Sequence, residues 1–154
     1  MSFVHLHNHS DFSVLDGAIP VKKMISLAVK HGMKAVALTD HGNMAGSIAF
    51  FNEAKRSGIK PILGQEFYIA PKSRFDRSAA RDEETAYHLI LLAETLEGYH
   101  NLMKLSSIGY TEGFYYKPRI DFETLAANSK GLICSSACLA GEIRDHLVTE
   151  RGQR

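Results

Sequence analysis

Val4-His5-Leu6-His7-Asn8-His9-Ser10 stands near the start of the chain, and its alternation sets how the rest is read. In an extended strand, residues two apart point to one face, about 7 Å from each other. A strand predicted from Phe3 to His9 therefore carries His5, His7 and His9 on one face. A row of imidazoles is a row of nitrogen donors, which transition metals accept. Such a row becomes a metal site only if other parts of the chain bring further ligands to it.

Outward from this stretch, the chain reads as strands alternating with helices. Asp11 to Gly17 is a loop. Pro20 suits the first turn of a helix, Val21, Met24, Ile25 and Ala28 recur at helical spacing, and Gly32 stops it. Lys34 to Thr39 is a short apolar run that reads as a buried parallel strand and ends in Asp40-His41-Gly42. Ala45 to Ser57 suits a second helix, with Asn43 as its N-cap and Gly58 as its stop. Lys60 to Ala70 reads as a third strand region, interrupted at Gly64-Gln65-Glu66. Pro71 to Thr85 is polar, charged and aperiodic, as in a mobile surface loop. Tyr87 to Ala93 is a fourth strand and Leu96 to Ser106 a helix. Glu112 to Asp121 is an aromatic and basic connection, followed by a short helix from Phe122 to Ala127. Leu132 to Ser136 is a fifth strand, and Gly141 to Glu150 opens a last helix. Such alternation predicts an α/β fold, as a parallel sheet or as part of a barrel, since five strands do not close an eight-stranded one.

The 154 residues suffice for one domain with a real core. Lysines and arginines balance the acids to a net charge of +1, which excludes a domain that binds polyanions by bulk charge alone. Two cysteines make no disulfide framework. Eight histidines and no tryptophan point toward metal chemistry. No apolar run is long enough for a membrane-spanning helix, and the N-terminus lacks the basic and apolar parts of a signal peptide. The expected setting is a reducing cytoplasm without membrane contact.

The polar residues gather at strand ends. His7 and His9 close the first strand, Asp16 lies in the next loop, His41 follows the second strand, Glu66 lies in the third and Cys138 follows the fifth. Barrel active sites are built at the C-terminal ends of strands. His88 is the misfit, because it sits at a strand start. Four imidazoles, two carboxylates and one thiol suit zinc, manganese or iron, and exceed the four donors of one tetrahedral zinc. Two or three divalent metal ions are therefore expected. Such a pair clamps the attacking and leaving oxygens in phosphate ester hydrolysis. Glu66, between metals, is expected to bridge them, and Asp40 to orient His41 or take a proton, which makes both candidate catalytic residues. His31, His100 and His146 are expected outside the site, His31 at a helix C-terminus, and Cys134 as a small buried residue of a strand.

Val4 to Gly17 resembles the first motif of the PHP (polymerase and histidinol phosphatase) family. Ala37-Leu-Thr-Asp-His-Gly-Asn-Met44 is similar to its second motif, and Gly64-Gln-Glu-Phe67, His88 to Ala93 and Ser136 to Glu142 continue the match. Gly113-Phe-Tyr-Tyr-Lys-Pro-Arg-Ile-Asp121 resembles the branch formed by the alpha subunits of bacterial replicative DNA polymerases. The resemblance implies a distorted (β/α)7 barrel of the TIM type, incomplete here, with metals on His7, His9, Asp16, His41, Glu66, His88 and Cys138. It also implies a metal-dependent 3′–5′ exonuclease or phosphoesterase. The expected partners are DNA, as a single-stranded 3′ end or a template-primer, the rest of the alpha subunit, a proofreading subunit and a sliding clamp. The family's last metal motif, an Asp-x-His pair, is not among these residues. Two alternatives stay open: a free-standing phosphatase for a small phosphate ester, and a non-catalytic, metal-stabilised scaffold that docks a proofreading partner.

Basic residues interleaved with aromatics suit a single strand of nucleic acid. Lys117, Arg119 and Tyr115 are the candidate nucleic-acid contacts. Lys72, Arg74, Arg77 and Arg81 form a second basic set, offset by Asp76, Asp82, Glu83 and Glu84.

Overall fold

A computed structural model describes residues 3–14, 16–78 and 86–143. The first helix, α1 (Val21–Lys30), begins after Pro20 and buries Val21, Met24, Ile25 and Ala28, as its periodicity requires. Strand β1 (Ala35–Leu38) is buried throughout. Helix α2 (Ser47–Arg56) starts after Gly46. Asn43 does not cap it but accepts from the amide of Ala45 in a turn just before it. Strand β2 (Lys60–Ile69) is followed by β3 (Tyr87–Ala93) and by α3 (Leu96–Thr111), which outruns its expected end at Ser106. The connection from Glu112 to Asp121 is a tight hairpin of β4 (Phe114–Tyr115) and β5 (Lys117–Ile120), with Tyr116 at its tip. Helix α4 (Phe122–Ala127) and strand β6 (Leu132–Ser135) complete the described elements. The last helix expected from Gly141 to Glu150 falls largely outside the described residues, as do Arg81, Asp82, Glu83, Glu84 and His146.

The strands form one six-stranded sheet, in the order β4-β5-β2-β3-β6, with β1 also paired to β2. This is the expected α/β class, but the sheet is mixed rather than parallel. β1 and β5 run parallel to β2, whereas β3 runs antiparallel to it, with Tyr68 opposite His88 and Glu66 opposite Ile90. The start of β3 therefore lies beside the end of β2, which removes the misfit of His88.

The strand expected from Phe3 to His9 is irregular. It runs beside β1, with the amides of Ala37 and Thr39 donating to the carbonyls of His5 and Asn8. A two-residue step from Ala37 to Thr39 thus faces a three-residue step from His5 to Asn8. The Asn8 side-chain amide fills the gap by donating to the carbonyls of Ala37 and His5. The slip breaks the alternation, and His5 packs edge-on against Phe3 instead of joining the other two histidines. The expected interruption of β2 is also absent. A Cβ at Gly64 would stand 2.6 Å from the Leu91 carbonyl oxygen, so glycine here allows a close neighbouring strand.

The helices cover one face of the sheet. α1 and α2 pack with Val36 and Leu38 around Phe50, and α3 brings Leu102 and Leu105 onto Phe67, Ile69, Leu91 and Ile120. The opposite face carries a small cluster of Ala37, Ile90 and Leu92. Alternation places Glu66 and Tyr68 of β2, with His88 of β3, on this second face. Cys134, expected to be buried, is exposed because β6 lies at the end of the strand order. The segment 71–78, expected to be mobile, is tied down by Arg74, which bonds Asp121 and Glu112.

Candidate metal centre

Glu66 is the hub of the second face. Its backbone amide donates to the Asp40 carbonyl and its own carbonyl accepts from Gly42, which docks the turn after β1 against β2. Its side chain is 2% exposed and reaches four imidazoles. Oε2 lies 3.1 Å from His7 Nε2, 3.0 Å from His9 Nε2 and 3.9 Å from His41 Nε2, and Oε1 lies 3.0 Å from His88 Nδ1. Cys138 Sγ stands 3.7 Å from Oε1 and 3.4 Å from His88 Nδ1. The loop that carries Cys138 is shaped by Ala137 at φ 61° and held to β3 by a bond from the His88 amide to the Ala140 carbonyl.

Asp16 joins from the other side. Its Oδ2 accepts from His41 Nδ1 at 2.7 Å, and its Oδ1 lies 3.6 Å from His9 Nδ1. Ser13 knits this edge together. Its hydroxyl donates to Asp16, accepts from the His41 amide at 3.0 Å and lies 3.2 Å from His9 Nδ1. The fold thus brings His7, His9, Asp16, His41, Glu66, His88 and Cys138 into one contact network. Ser13 was missed in the sequence, where a serine three residues before Asp16 carries no distinguishing signal.

Asp40 does not orient His41; Asp16 does. The Asp40 carboxylate is buried and turned to Ser10, taking its amide at 2.6 Å and its hydroxyl at 2.9 Å. Both oxygens are engaged in holding the segment after His9. Tyr68 was also missed. Its ring stacks on His41 with centroids 4.6 Å apart and meets His88 edge-on.

Burial alone would raise the Glu66 carboxyl, but His88 and His9 outweigh it and hold Glu66 far below the usual carboxylate range. The bond to Glu66 raises His9 against the opposing effect of burial. Burial lowers His41, which favours the neutral ring, and in that form, with Nδ1 given to Asp16, Nε2 carries the lone pair. Burial likewise pushes the Cys138 thiol up. Tyr68 is pushed up to about 12 by burial and by the charges of Asp16 and Glu66.

Two observations fit a cation. His41 Nε2 is buried and has no hydrogen-bond partner among the described residues. The Nε2 atoms of His7 and His9 face each other at 2.9 Å with Glu66 Oε2 beside both. Donors bound at about 2.0–2.1 Å around a tetrahedral ion stand about 3.3 Å apart, close to this spacing. Three overlapping groups have the needed donors within 4.8 Å of one another: His7, His9 and Glu66; His9, Asp16 and His41; His41, Glu66 and His88.

The candidate nucleic-acid contacts part company. Arg119 is 2% exposed and donates to the carbonyls of Gly113, Arg74 and Asp76, so it is a structural residue and not a surface contact. Arg74 is likewise committed to Asp121 and Glu112. Lys117 stays at the surface, its Nζ 4.9 Å from the Tyr68 ring centre. Tyr115 packs against Tyr116 and under the Arg119 guanidinium. His100 is exposed and His31 caps the C-terminus of α1, both away from the network as expected.

An α/β domain whose sheet gathers imidazoles, acids and a thiol is a candidate metal-site domain. The chain belongs to the PHP domain family, whose sequence profile matches residues 5–154. It is 53% identical to the DNA polymerase III subunit alpha of Chlamydia muridarum over 143 residues, 93% of this chain and 12% of that protein. It is 54% identical to the same subunit of Treponema pallidum over 93% of this chain. With the subunit of Borreliella burgdorferi it shares 52% over 97% of this chain and 13% of that protein. The chain thus spans about one eighth of the length of these relatives. Among solved structures, an amidohydrolase from Chromobacterium violaceum with bound sulfate and no metal is similar, at a TM-score of 0.49 and 26% identity over 70% of this chain and 33% of that one. A protein from Bifidobacterium adolescentis, provisionally named a metal-dependent phosphoesterase, is similar at a TM-score of 0.48 and 19% identity over the same shares. Among the described residues no helix is long and apolar enough to cross a membrane.

Proposed function

We propose that this chain is the PHP part of a bacterial replicative DNA polymerase alpha subunit, and that its site hydrolyses phosphodiesters at a 3′ end of DNA. The observation that carries the hydrolytic reading is the meeting of four imidazoles on one buried carboxylate, Glu66. The relatives support the polymerase context and disfavour a free-standing phosphatase for small esters. The larger protein's partners would be template-primer DNA, the rest of the alpha subunit, a proofreading subunit and a sliding clamp, in the cytoplasm.

His7, His9 and Glu66 would hold one divalent cation and His41, His88 and Cys138 with Glu66 a second, and Asp16, on the His9 side, would be a ligand to any third; zinc, manganese and iron suit this donor set. Such ions, when bound, lower the pKa of water to about 7 and neutralise phosphate charge. The chain's own contribution is positioning. Asp16 fixes the tautomer of His41 through Nδ1, leaving Nε2 as a donor to a cation. Glu66 stays ionised across any working pH and offers one oxygen to each side of the cluster. Lys117 and Tyr115 remain as contacts for the DNA strand.

The test uses the full-length protein that carries this chain, supplied with zinc or manganese. A labelled single-stranded DNA and a small phosphate monoester are compared, with Glu66→Gln alongside. Expected is shortening of the DNA from its 3′ end, little monoester hydrolysis, and a loss of at least about a hundredfold in the variant, beyond the range seen for residues that only support ligands. Preference for the monoester overturns the polymerase reading. Absence of any hydrolysis, together with metal-dependent melting, replaces catalysis with the scaffold reading.

A further inference from the structure

The cations around the hairpin have different fates. Arg119 is spent on three carbonyls and Arg74 on two carboxylates. Lys117, at the start of β5, has no carboxylate within ion-pair distance among the described residues. Its ammonium lies 4.9 Å from the centre of the Tyr68 ring, the same ring that stacks on His41 and touches His88. One aromatic ring thus contacts this ammonium, His41 and His88 alike. That ring is fixed in place. Gly42, at φ 68°, leaves room for it: a Cβ there would stand 3.0 Å from Tyr68 Cε2 and 3.2 Å from Pro118 Cγ. The Tyr68 hydroxyl has no hydrogen-bond partner among the described residues. Next to Lys117, Tyr116 sits at φ 59° on the hairpin tip and presents a ring 55% exposed.

We propose that Lys117 and the Tyr68 hydroxyl form an anion subsite for the phosphate next to the one being cleaved, so that the site selects a polynucleotide over an isolated phosphate ester. This rests on reading the cluster as a phosphoester hydrolase. A second phosphate exists only in a chain, and among the described residues the contact of Lys117 with the cluster runs through the Tyr68 ring, which places its ammonium for a phosphate beside the one at the ligands. The exposed Tyr116 ring beside Lys117 supplies a stacking face for the adjoining base, the pairing of cation and aromatic ring that single strands use.

The experiment uses the full-length protein with two substrates. One is a short oligodeoxythymidylate. The other is the p-nitrophenyl ester of thymidine 5′-phosphate, which has one phosphate and no neighbour. Lys117→Met is expected to lower the ratio of kcat/KM values, oligonucleotide over ester, by about tenfold, and to flatten the salt dependence of the oligonucleotide reaction by about 0.7 in log–log slope, one contact on a single strand. Lys117→Arg restores both, and Tyr68→Phe lowers the ratio in the same direction. An unchanged ratio, or an equal loss on both substrates, overturns the subsite. A second readout needs no turnover: acetylation of Lys117, followed by mass spectrometry, is expected to slow when the oligonucleotide is added. If wild-type protein hydrolyses neither substrate, the hydrolase reading fails by itself. Protection of Lys117 by the oligonucleotide then keeps its role as a contact to a DNA phosphate, without a cleaved neighbour, and lack of protection overturns that role as well.

Discussion

The Nε2 atoms of His7 and His9 face each other at 2.9 Å, and one oxygen of Glu66 lies within 3.1 Å of both. Without a cation, one ring must donate while the other accepts, and a single carboxylate oxygen must serve both. With a cation, all three present lone pairs to it. Metal removal is therefore expected to destabilise the protein. At a metal concentration of about a hundred times Kd the stabilisation is about 2.7 kcal/mol. Calorimetry with and without a chelator checks this. His9→Ala should melt lower and lose most of its response to the chelator, and equal chelator responses in both proteins would remove the cation from the account.

Asp40 is expected to act on stability rather than on chemistry. It accepts two hydrogen bonds from Ser10 while buried. Hydrogen bonds to charged groups contribute about 1.5–3 kcal/mol each, and Asp40→Ala removes the acceptor of both. A loss of about 3 kcal/mol is expected in denaturant titrations, with less than additive loss in the double variant with Ser10→Ala. The pH–rate profile should keep its shape in Asp40→Asn. Loss of the acidic limb, where the rate rises as a base gives up its proton, would restore Asp40 as a proton acceptor.

Asp121 predicts an acid-sensitive step. Burial would raise its carboxyl, but the Arg74 amide, the Thr124 hydroxyl and amide and the Arg74 guanidinium bring it down to about 2. A carboxyl depressed in the folded state adds stability above its unfolded pKa, and that stability fades as pH falls toward the folded value. The window is from about 4 down to about 2, with a total near 2 kcal/mol from 1.36 kcal/mol per unit. Because Asp121 also caps α4, Asp121→Asn should be less stable at neutral pH and lose part of the decline between these limits. Thermal melts over that range measure both. An identical decline in the variant would assign it to other carboxyls.

Arg119→Ala should destabilise the fold without a specific effect on DNA. The side chain satisfies three carbonyls in a site it nearly fills. Leaving these acceptors unpaired costs about 2–4 kcal/mol in total. The check is the denaturation midpoint beside the salt slope of nucleic-acid turnover. The first should fall and the second should match wild type, in contrast to Lys117→Met.

The meeting of His7, His9, Asp16, His41, Glu66, His88 and Cys138 could be read from the sequence because each sits in a short stretch next to a strand end, and metal donors come from few residue types. The direction of β3 could not. A buried antiparallel strand and a buried parallel one both appear as an apolar run, here Tyr87 to Ala93, and only pairing distinguishes them. The alternation of His5, His7 and His9 overstated the site for a related reason: the Asn8 side chain stands in for a backbone donor and shifts the register. The two arginines misled because charge in a sequence says nothing of the acceptors that the fold will turn toward it. Arg119 meets carbonyls from Gly113, Arg74 and Asp76, and Arg74 meets acids 38 and 47 positions away.

The reversal of β3 has an evolutionary reach. Because β2 ends and β3 begins at the same rim, with Tyr68 opposite His88, Ala70 and Ala86 mark the two ends of a connection that meets the sheet beside the cluster. Length and composition between these two anchor points can drift while the clustered side chains stay put. Remodelling this connection is the cheapest route by which descendants of one scaffold could admit long chains, accept only compact molecules, or close the opening altogether.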